Sequence, residues 1–307
     1  MTLLQLEVFL AVCQARSFTQ AGERLNMTQS AVSQAVANLE RELGVSLLHR
    51  SRQGITITHI GERMLAHVRE IARHTNCMQQ EAAAAAGAET GTLRIASIPS
   101  VSAKLLPGML ASFKSSFPLV QTVMFEGGYE EVHSWLTNHV VDVGIVTLPV
   151  SGLDVVELVQ DQLLLFLPET HALIRETAVS LAQIAQAPFI QPTADSEHVI
   201  REAFKNAGLT PNIQFEVRDT ATILAMVQEG IGVTILPEMA ISTSLPHVRS
   251  VPLHPPVTRR VGLAVRHLEE VSPICADFLL HARAYVQHTC PGCIGVADVC
   301  KACVDGG

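Results

Sequence analysis

Apolar positions in the first sixty residues recur three or four apart, the spacing of amphipathic helices. The opening segment places four apolar side chains on one face: Leu6, Phe9, Leu10 and Cys13. A second, short helix capped by Ser17 or Thr19 carries Ala21 and Leu25 inward. After a turn at Asn26 and Met27, Thr28 caps a third helix that runs from about residue 29 to 43 and ends at Gly44. The pattern predicts three short helices around a common core.

The third predicted helix has two chemically different faces. One face is an apolar stripe formed by Val32, Ala35, Val36, Leu39 and Leu43. The opposite face is polar and carries Ser30, Ser33, Gln34, Asn38 and Arg41. Because the major groove of DNA is about 12 Å wide and admits one helix, such a polar face can meet base edges and phosphates.

The next segments predict a wing and a long helix. Residues 47–58 contain Arg50, Arg52, a turn at Gly54 and alternating apolar and polar positions, which indicates a small β-hairpin. From about 60 to 86, apolar residues recur three or four apart along one stripe, and we expect a partner helix to cover that stripe. The stretch 87–91 has a glycine at each end and predicts a hinge.

Strand-like runs alternate with helical segments in the remainder of the chain, which favours a parallel α/β construction. The predicted strands are 93–97, 121–126, 141–147, 163–167, 189–191, 214–217, 233–236 and 261–265. A second lobe begins near 163–168, and the chain is expected to return to the first lobe near 238–250.

Composition and charge narrow the class of protein. The 307 residues are 48% hydrophobic and 16% charged, with a net charge of −8, which is typical of a globular protein with two or three modules. The first 80 residues nevertheless hold 8 Lys or Arg against 6 Asp or Glu, so a local DNA-binding surface is compatible with the acidic total. We find no apolar run of about 18 residues and no signal-peptide pattern, so we expect a cytoplasmic protein without membrane contact.

Four cysteines crowd into the last 18 residues as a C-x2-C-x6-C-x2-C array: Cys290, Cys293, Cys300 and Cys303. Two close thiol pairs can chelate zinc or another thiophilic metal. The spacer is shorter than in most zinc ribbons, so an iron–sulfur cluster, a thiol switch and an inert reduced tail remain open alternatives. No cofactor is otherwise expected to be required.

The N-terminal motif resembles the DNA-binding domain of LysR-type transcriptional regulators. The likeness spans about 60 residues and keeps the order of helix, turn, helix and wing, through the runs Ser17-Phe18-Thr19-Gln20-Ala21-Gly22, Thr28-Gln29-Ser30-Ala31-Val32-Ser33, Leu39-Glu40 and Leu47-Leu48-His49-Arg50. Further runs resemble the family's effector domain: Leu105-Leu106-Pro107, Asp142-Val143-Gly144-Ile145 and Gly230-Ile231-Gly232-Val233.

The resemblance implies an α/β fold class: an N-terminal winged helix-turn-helix and linker helix, then a two-lobed effector domain like that of periplasmic binding proteins. It places the winged helix-turn-helix at 1–58, the linker helix at 59–87, the effector domain at 91–286 and the cysteine-rich tail at 287–307. Within the effector domain, lobe I covers about 91–161 and 238–286, and lobe II about 162–237. The implied partners are double-stranded DNA, a small-molecule effector and further copies of the chain in a homodimer or homotetramer, with RNA polymerase as a further candidate.

The residue pattern and the resemblance together give two sets of candidate site residues. The candidate DNA-binding residues are Thr28, Gln29, Ser30, Ser33, Gln34, Asn38, Arg50 and Arg52. The arginines position the wing on the phosphate backbone, whereas the helix specifies bases. The candidate effector-binding residues are Ser100, Ser102, Thr147, Thr193 and Ser196, which follow predicted strands at the sheet edge where α/β folds bind ligands. They are also ordinary helix caps and turn residues.

The chemistry of the expected effector follows from those loops. None of them carries Lys or Arg, so we expect a small polar or carboxylate effector held by hydroxyls and backbone N–H groups. Residues 79–274 contain no cysteine, so the paired mid-domain thiols of the family's peroxide sensors are missing.

Two other classes of function are less well supported by the sequence. A solute-binding protein would need a signal peptide and would lack the helix-turn-helix. An enzyme has little support, because the sequence shows no phosphate-binding glycine loop, nucleophile elbow or His-Glu metal helix. The sequence therefore predicts a DNA-binding transcriptional regulator, not an enzyme, whose promoter binding responds to an effector bound between two lobes.

Overall fold

The helices near the N-terminus begin at side chains that cap them. In a computed structural model of the chain, Thr2, Ser17 and Thr28 each accept a hydrogen bond from the backbone N–H three residues later, at 3.2–3.3 Å. The structure describes residues 1–51, 54–87, 89–194, 196–241 and 246–289, with the backbone alone at 50 and 51. The described chain divides into two compact units, and the second starts at Ala83.

The first unit contains the predicted helices and hairpin. Its elements are α1 (Leu3–Ala15), α2 (Phe18–Leu25), α3 (Gln29–Leu43), β1 (Leu48–Ser51), β2 (Gly54–Ile57) and most of α4 (His59–Ala85). Strands β1 and β2 pair antiparallel, as predicted for a wing. Phe9, Val12 and Leu39 are fully buried in the core that α1 to α3 share. One predicted core position is wrong: Leu43 is 37% exposed, because it is the last residue of α3, at the edge of that core.

The second unit alternates strands and helices, as the sequence predicted. Its first elements are β3 (Gly91–Ser97), α5 (Pro99–Lys104), α6 (Leu106–Ser116), β4 (Val120–Glu126), α7 (Tyr129–Thr137), β5 (Val143–Leu148) and β6 (Asp154–Pro168). The elements that follow are α8 (Leu181–Ile184), β7 (Pro188–Pro192), α9 (Glu197–Asn206), β8 (Asn212–Val217), α10 (Thr220–Gln228), β9 (Thr234–Pro237), β10 (Val248–Val265) and α11 (Pro273–Thr289).

The sheet is mixed, which corrects the expectation of parallel construction. Among the described residues, six strands lie in the order β4-β3-β5-β10-β6-β9. Strand β3 runs parallel to β4 and β5, whereas β10 runs antiparallel to both β5 and β6, and β9 antiparallel to β6. The long antiparallel pair β6 and β10 therefore runs through both lobes. The sequence pattern predicted only one end of each of these two strands.

The return of the chain to the first lobe lies later than predicted. Residues 248–252 still pair with the second-lobe end of β6, and Leu253 packs into the same core as Phe189 and Phe204. Val257 also packs against that core and pairs with Leu163 after a register shift, whereas pairing with β5 of the first lobe begins at Arg260. The crossing therefore lies between 257 and 260, not within 238–250.

Candidate DNA-binding surface and effector cleft

The turn before α3 fixes how that helix is presented. Asn26 ends α2 in the left-handed conformation, with φ of 52°, and Thr28 caps α3. A Cβ on Gly22 would lie 2.6 Å from the carbonyl oxygen of Met27, so α2 can approach the turn this closely only with glycine. The geometry of this helix-turn-helix is thus set by local contacts over about ten residues.

Helix α3 separates its two faces as the sequence predicted. Val32, Val36 and Leu39 are fully buried. The candidate base-contacting side chains lie on the outside: Thr28, Gln29, Ser30 and Gln34 are exposed, and Ser33 and Asn38 are half-buried. The structure therefore brings the α3 members of the predicted set together on one polar surface.

Part of this surface is ordered by hydrogen bonds along the helix. The Oδ1 atom of Asn38 accepts from Nε2 of Gln34 at 2.9 Å and from Nη1 of Arg41 at 3.1 Å. The oxygen of Asn38 therefore holds its two neighbours in place, and Gln34 is oriented before any ligand binds.

The base of the wing is attached to α3 by a residue that the sequence prediction did not assign to the site. The Oε1 atom of Glu40 accepts from the backbone N–H of Leu47 at 2.7 Å and of Leu48 at 3.1 Å. The Leu39-Glu40 run carried the signal for this contact. Arg50 lies in β1, opposite Ile55, but its side chain and the whole of Arg52 fall outside what the structure describes.

In the second unit, the candidate effector residues fall around two cavities. Ser100 and Ser102 of α5 line a cavity of about 500 Å³, and Thr193 lines another of about 660 Å³. Thr147 and Ser196 are fully buried and are not part of either lining. Cavities of this size accept small ligands.

Three of these hydroxyls are buried without a hydrogen-bond partner among the described residues: those of Ser102, Thr147 and Ser196. A buried hydroxyl without a partner costs free energy, and such atoms are rare in folded proteins. Of the three, only Ser102 lines one of these two cavities, so a polar ligand bound there can supply its missing hydrogen bond.

Two arginines lie at or beside the cavities, and both come from outside the three loops that carry the predicted hydroxyls. Arg259 of β10 is buried and donates to Ser100 Oγ at 2.6 Å and to Asp161 Oδ2 at 2.8 Å. Burial raises the pKa of Asp161, and the positive charge of Arg259 opposes that rise. Arg218, which follows β8, lines both cavities. The loop sequences did not predict these two arginines, which come close to the predicted hydroxyls through tertiary packing.

Contacts join the two lobes on one side of the cleft. The backbone N–H of Tyr129 donates to the carbonyl of Ala194 at 3.1 Å, and the ring of Tyr129 lies 4.8 Å from that of His198. Glu131 of α7 forms an ion pair with Arg218. The hydrogen bond from the Gly128 N–H and the pairing with Arg218 lower the pKa of Glu131.

The predicted metal ligands fall outside the described residues. Cys290, Cys293, Cys300 and Cys303 all lie beyond residue 289. Within the described part of the chain, no group of three or more His, Cys, Asp or Glu side chains is arranged to hold a metal ion. The same residues contain no helix with the length and apolar character needed to cross a membrane.

Two family models match the chain. One, described as the bacterial regulatory helix-turn-helix protein of the lysR family, matches residues 3–62, and the other, the LysR substrate binding domain, matches residues 86–287. The chain is 37% identical over 286 residues to the uncharacterized HTH-type transcriptional regulator YvbU of Bacillus subtilis, covering 92% of this chain and 98% of that one. It is 33% identical over 267 residues to the probable HTH-type transcriptional regulator LrrA of Synechococcus elongatus, covering 86% and 90%.

Solved structures agree with this assignment. Full-length OxyR from Pseudomonas aeruginosa, in a variant form, matches with a TM-score of 0.74 at 20% identity, covering 94% of this chain and 95% of that one, which shows the fold. Full-length CbnR in complex with its target DNA matches with a TM-score of 0.65 at 25% identity, covering 93% and 100%. The chain therefore belongs to the LysR family of DNA-binding transcriptional regulators, with a helix-turn-helix followed by an effector-binding domain.

Proposed function

We propose that the outer face of α3 reads base edges in the major groove of a promoter, through Thr28, Gln29, Ser30, Ser33, Gln34 and Asn38, while Arg50 and Arg52 hold the phosphate backbone at the wing. The observation that carries the α3 part is the single polar surface opposite the buried Val32 and Val36. Amide and hydroxyl side chains on such a face match the donors and acceptors of base edges.

We propose that Ser100, Ser102, Thr147, Thr193 and Ser196 belong to the effector site between the lobes. The supporting observation is the set of buried hydroxyls without partners in the described chain, at Ser102, Thr147 and Ser196. Polar groups of an effector would supply the missing hydrogen bonds. Effector binding would then shift the protein between two arrangements with different promoter affinity.

The oligomeric state and the cellular location are proposed from the same role in promoter binding. We propose a homodimer formed through α4, where Met78 is 71% exposed and Ile71 37% exposed on the described helix, and a tetramer on DNA. Because the DNA target lies in the cytoplasm of a bacterial cell, we place the protein there. RNA polymerase is a further proposed partner.

The cysteine tail supports a separate proposal: that its two thiol pairs bind zinc or another thiophilic metal. Elemental analysis of the purified protein should find about one metal per chain, and changing all four cysteines to serine should remove it. Equal metal content in both proteins would contradict the proposal, and the tail would then be inert or a thiol switch.

Promoter binding is tested with the DNA upstream of the protein's own gene. Fluorescence anisotropy across a salt series should show binding that weakens with salt and that discriminates against scrambled DNA. Gln29→Ala should reduce that discrimination about tenfold, whereas Arg50→Ala should weaken binding to both DNAs and lower the salt slope by about 1. Gln14→Ala, an exposed change on α1, is the matched control. Absence of binding to either DNA at low salt would refute the proposed promoter recognition.

A further inference from the structure

Three side chains on the outer face of α3 form a hydrogen-bonded row along the helix. Gln34, Asn38 and Arg41 are four and then three positions apart, so they follow one another on the same side of α3. The Oδ1 atom of Asn38 accepts from Nε2 of Gln34 at 2.9 Å and from Nη1 of Arg41 at 3.1 Å. Gln34 lies in the second turn of α3, and Arg41 lies in the last. The row therefore connects a proposed base-contacting residue with the far end of the helix.

Arg41 determines which way the amide of Asn38 points. A guanidinium has N–H donors and no acceptor, so it can bind only the oxygen of the Asn38 amide. In the reversed amide, an NH2 group would face the positive charge and no hydrogen bond would form. Arg41 therefore selects one of the two orientations that the Asn38 amide could otherwise adopt.

The orientation of Asn38 in turn determines that of Gln34. Because Oδ1 of Asn38 can only accept, Gln34 presents its NH2 group to that oxygen. One N–H of Gln34 is used in this bond. The Oε1 atom and the second N–H of the exposed Gln34 side chain are left for a partner outside the helix. Gln34 therefore offers one acceptor and one donor to whatever lies against α3.

One acceptor beside one donor matches the edge of a single base in the major groove. Adenine presents its N6 amino group as a donor and N7 as an acceptor, and a glutamine amide can meet both at once. Guanine presents two acceptors, O6 and N7, so the oxygen of Gln34 would face an acceptor there. Cytosine and thymine each offer one polar group on that edge. The fixed orientation of Gln34 therefore favours adenine and opposes guanine.

We propose that Gln34 recognises an adenine in the target DNA, and that Arg41 is a positioning residue that acts through Asn38 to fix this choice. The assignment rests on the proposed promoter recognition and adds the base that one residue of that surface reads. Arg41 needs no contact with the base itself. When Arg41 is removed, the amides of Asn38 and Gln34 can reverse together. Gln34 then offers two N–H donors, which is the pair that guanine accepts.

The test uses the full-length protein and the DNA upstream of its own gene. Each base pair of the region that the protein protects from nuclease is replaced in turn by the other three, and competition binding gives the affinity ratio of adenine to guanine at every position. One position should prefer adenine over guanine by about tenfold, and Gln34→Ala should remove that preference at this position alone.

Modified bases at that position test the two bonds separately. The base 7-deazaadenine lacks the N7 acceptor, and unsubstituted purine lacks the amino group. Each replacement should weaken binding of the unaltered protein and leave binding of the Gln34→Ala protein unchanged, because the variant makes neither bond.

Variants of Arg41 separate positioning from a simple loss of charge. Arg41→Ala should lower the adenine-to-guanine ratio about twofold, the factor that one exposed side-chain pair on a helix represents. Arg41→Lys should keep the ratio, because an ammonium also donates and cannot accept. Arg24→Ala is the matched control, since it removes the same charge from an exposed position on α2. Whatever this control does to the affinity, the ratio should not change.

The variant Asn38→Asp provides a second test of how Arg41 acts. A carboxylate can only accept, so it fixes the orientation of Gln34 without help from Arg41. Adding Arg41→Ala to Asn38→Asp should therefore leave the ratio unchanged, although the added negative charge weakens binding to every DNA. If Arg41 only contacted a phosphate, its removal would lower the affinity and leave the ratio unchanged in both backgrounds.

Three outcomes would overturn the inference: a Gln34→Ala protein with unchanged base preferences, a position that depends on Gln34 but prefers a base other than adenine, or an Arg41→Ala protein with the ratio of the unaltered protein. Each of these outcomes leaves promoter recognition by α3 intact. Protein that binds no DNA at low salt would refute the proposed promoter recognition, and this assignment with it.

Discussion

The buried pair of Asp161 and Arg259 provides a sharp test of the energetics at the effector cleft. The side chain of Arg259 is 0% exposed and that of Asp161 is 3% exposed. Asp161→Asn keeps an acceptor in place but removes the negative charge of Asp161 from beside a guanidinium that does not deprotonate. Removing one partner of a buried ion pair costs about 3–5 kcal/mol. For a unit of about 200 residues, that loss lowers the melting temperature by roughly 10 °C.

The reverse change should cost less and depend on pH. In Arg259→Met, Asp161 stays buried, and burial raises its pKa above the ordinary 3.8. The cation that opposed this rise is gone. A carboxyl whose pKa is raised on folding destabilises only when it must ionise, so the penalty is absent below the ordinary pKa and grows as pH rises through the folded-state value. Unfolding by urea at pH 5 and pH 8 should therefore separate the two single variants.

The double variant completes a thermodynamic cycle. Asp161→Asn with Arg259→Met contains no buried charge, and its loss of stability should be about 2 kcal/mol or more smaller than the sum of the two single losses. The transition of the second unit should be followed by circular dichroism, since the two units can unfold separately. Additive losses, or an Asp161→Asn protein as stable as the original, would refute the idea that this pair is electrostatically coupled.

Three further predictions concern the DNA-binding unit. Gly22→Ala forces a Cβ against the carbonyl of Met27 and should lower the free energy of unfolding in urea by about 1–3 kcal/mol. Gln20→Ala, on the exposed face of the same helix, should leave that free energy unchanged. Glu40→Ala removes the acceptor of two N–H groups at the wing and should lower the free energy of unfolding by about 1–3 kcal/mol. Glu40→Gln should recover part of that loss. Equal stability of the unaltered protein and both variants in urea unfolding would contradict the assigned contact. Burial raises the pKa of Cys13 to about 12, so iodoacetamide at pH 8 should label the half-buried Cys77 well before Cys13, as peptide mass spectrometry would show.

The DNA-binding unit could be predicted closely because its determinants are local. Caps at Thr2, Ser17 and Thr28 and the left-handed ends at Asn26 and Gly44 lie within a few residues of the turns that they control. The buried face of α3 follows directly from helical spacing. Leu43 was misplaced because periodicity does not say where the neighbouring helices stop covering a face.

The sheet was predicted less well because prolines obscured one of its main strands. Strand β10 includes Pro252, Pro255 and Pro256, which disfavour a strand in the sequence pattern. In the structure Pro252 still pairs with Leu164, and Pro255 and Pro256 fall in the stretch before Val257 where the register with β6 shifts. Strand direction was also beyond the pattern, because an apolar run buried on both faces reads the same in parallel and antiparallel sheets.

By itself, the sequence determined the order of the modules, the recognition helix with its polar face, and the hydroxyls that follow the strands, since each depends on residues close together in the chain. Only the tertiary structure decided which charged side chains lie at the candidate effector site. Arg259 meets Asp161 across 98 positions and Ser100 across 159, and Arg218 meets Glu131 across 87. Those pairings depend on strand order and register, which are set by how the whole domain buries its apolar surface, and no local pattern encodes them.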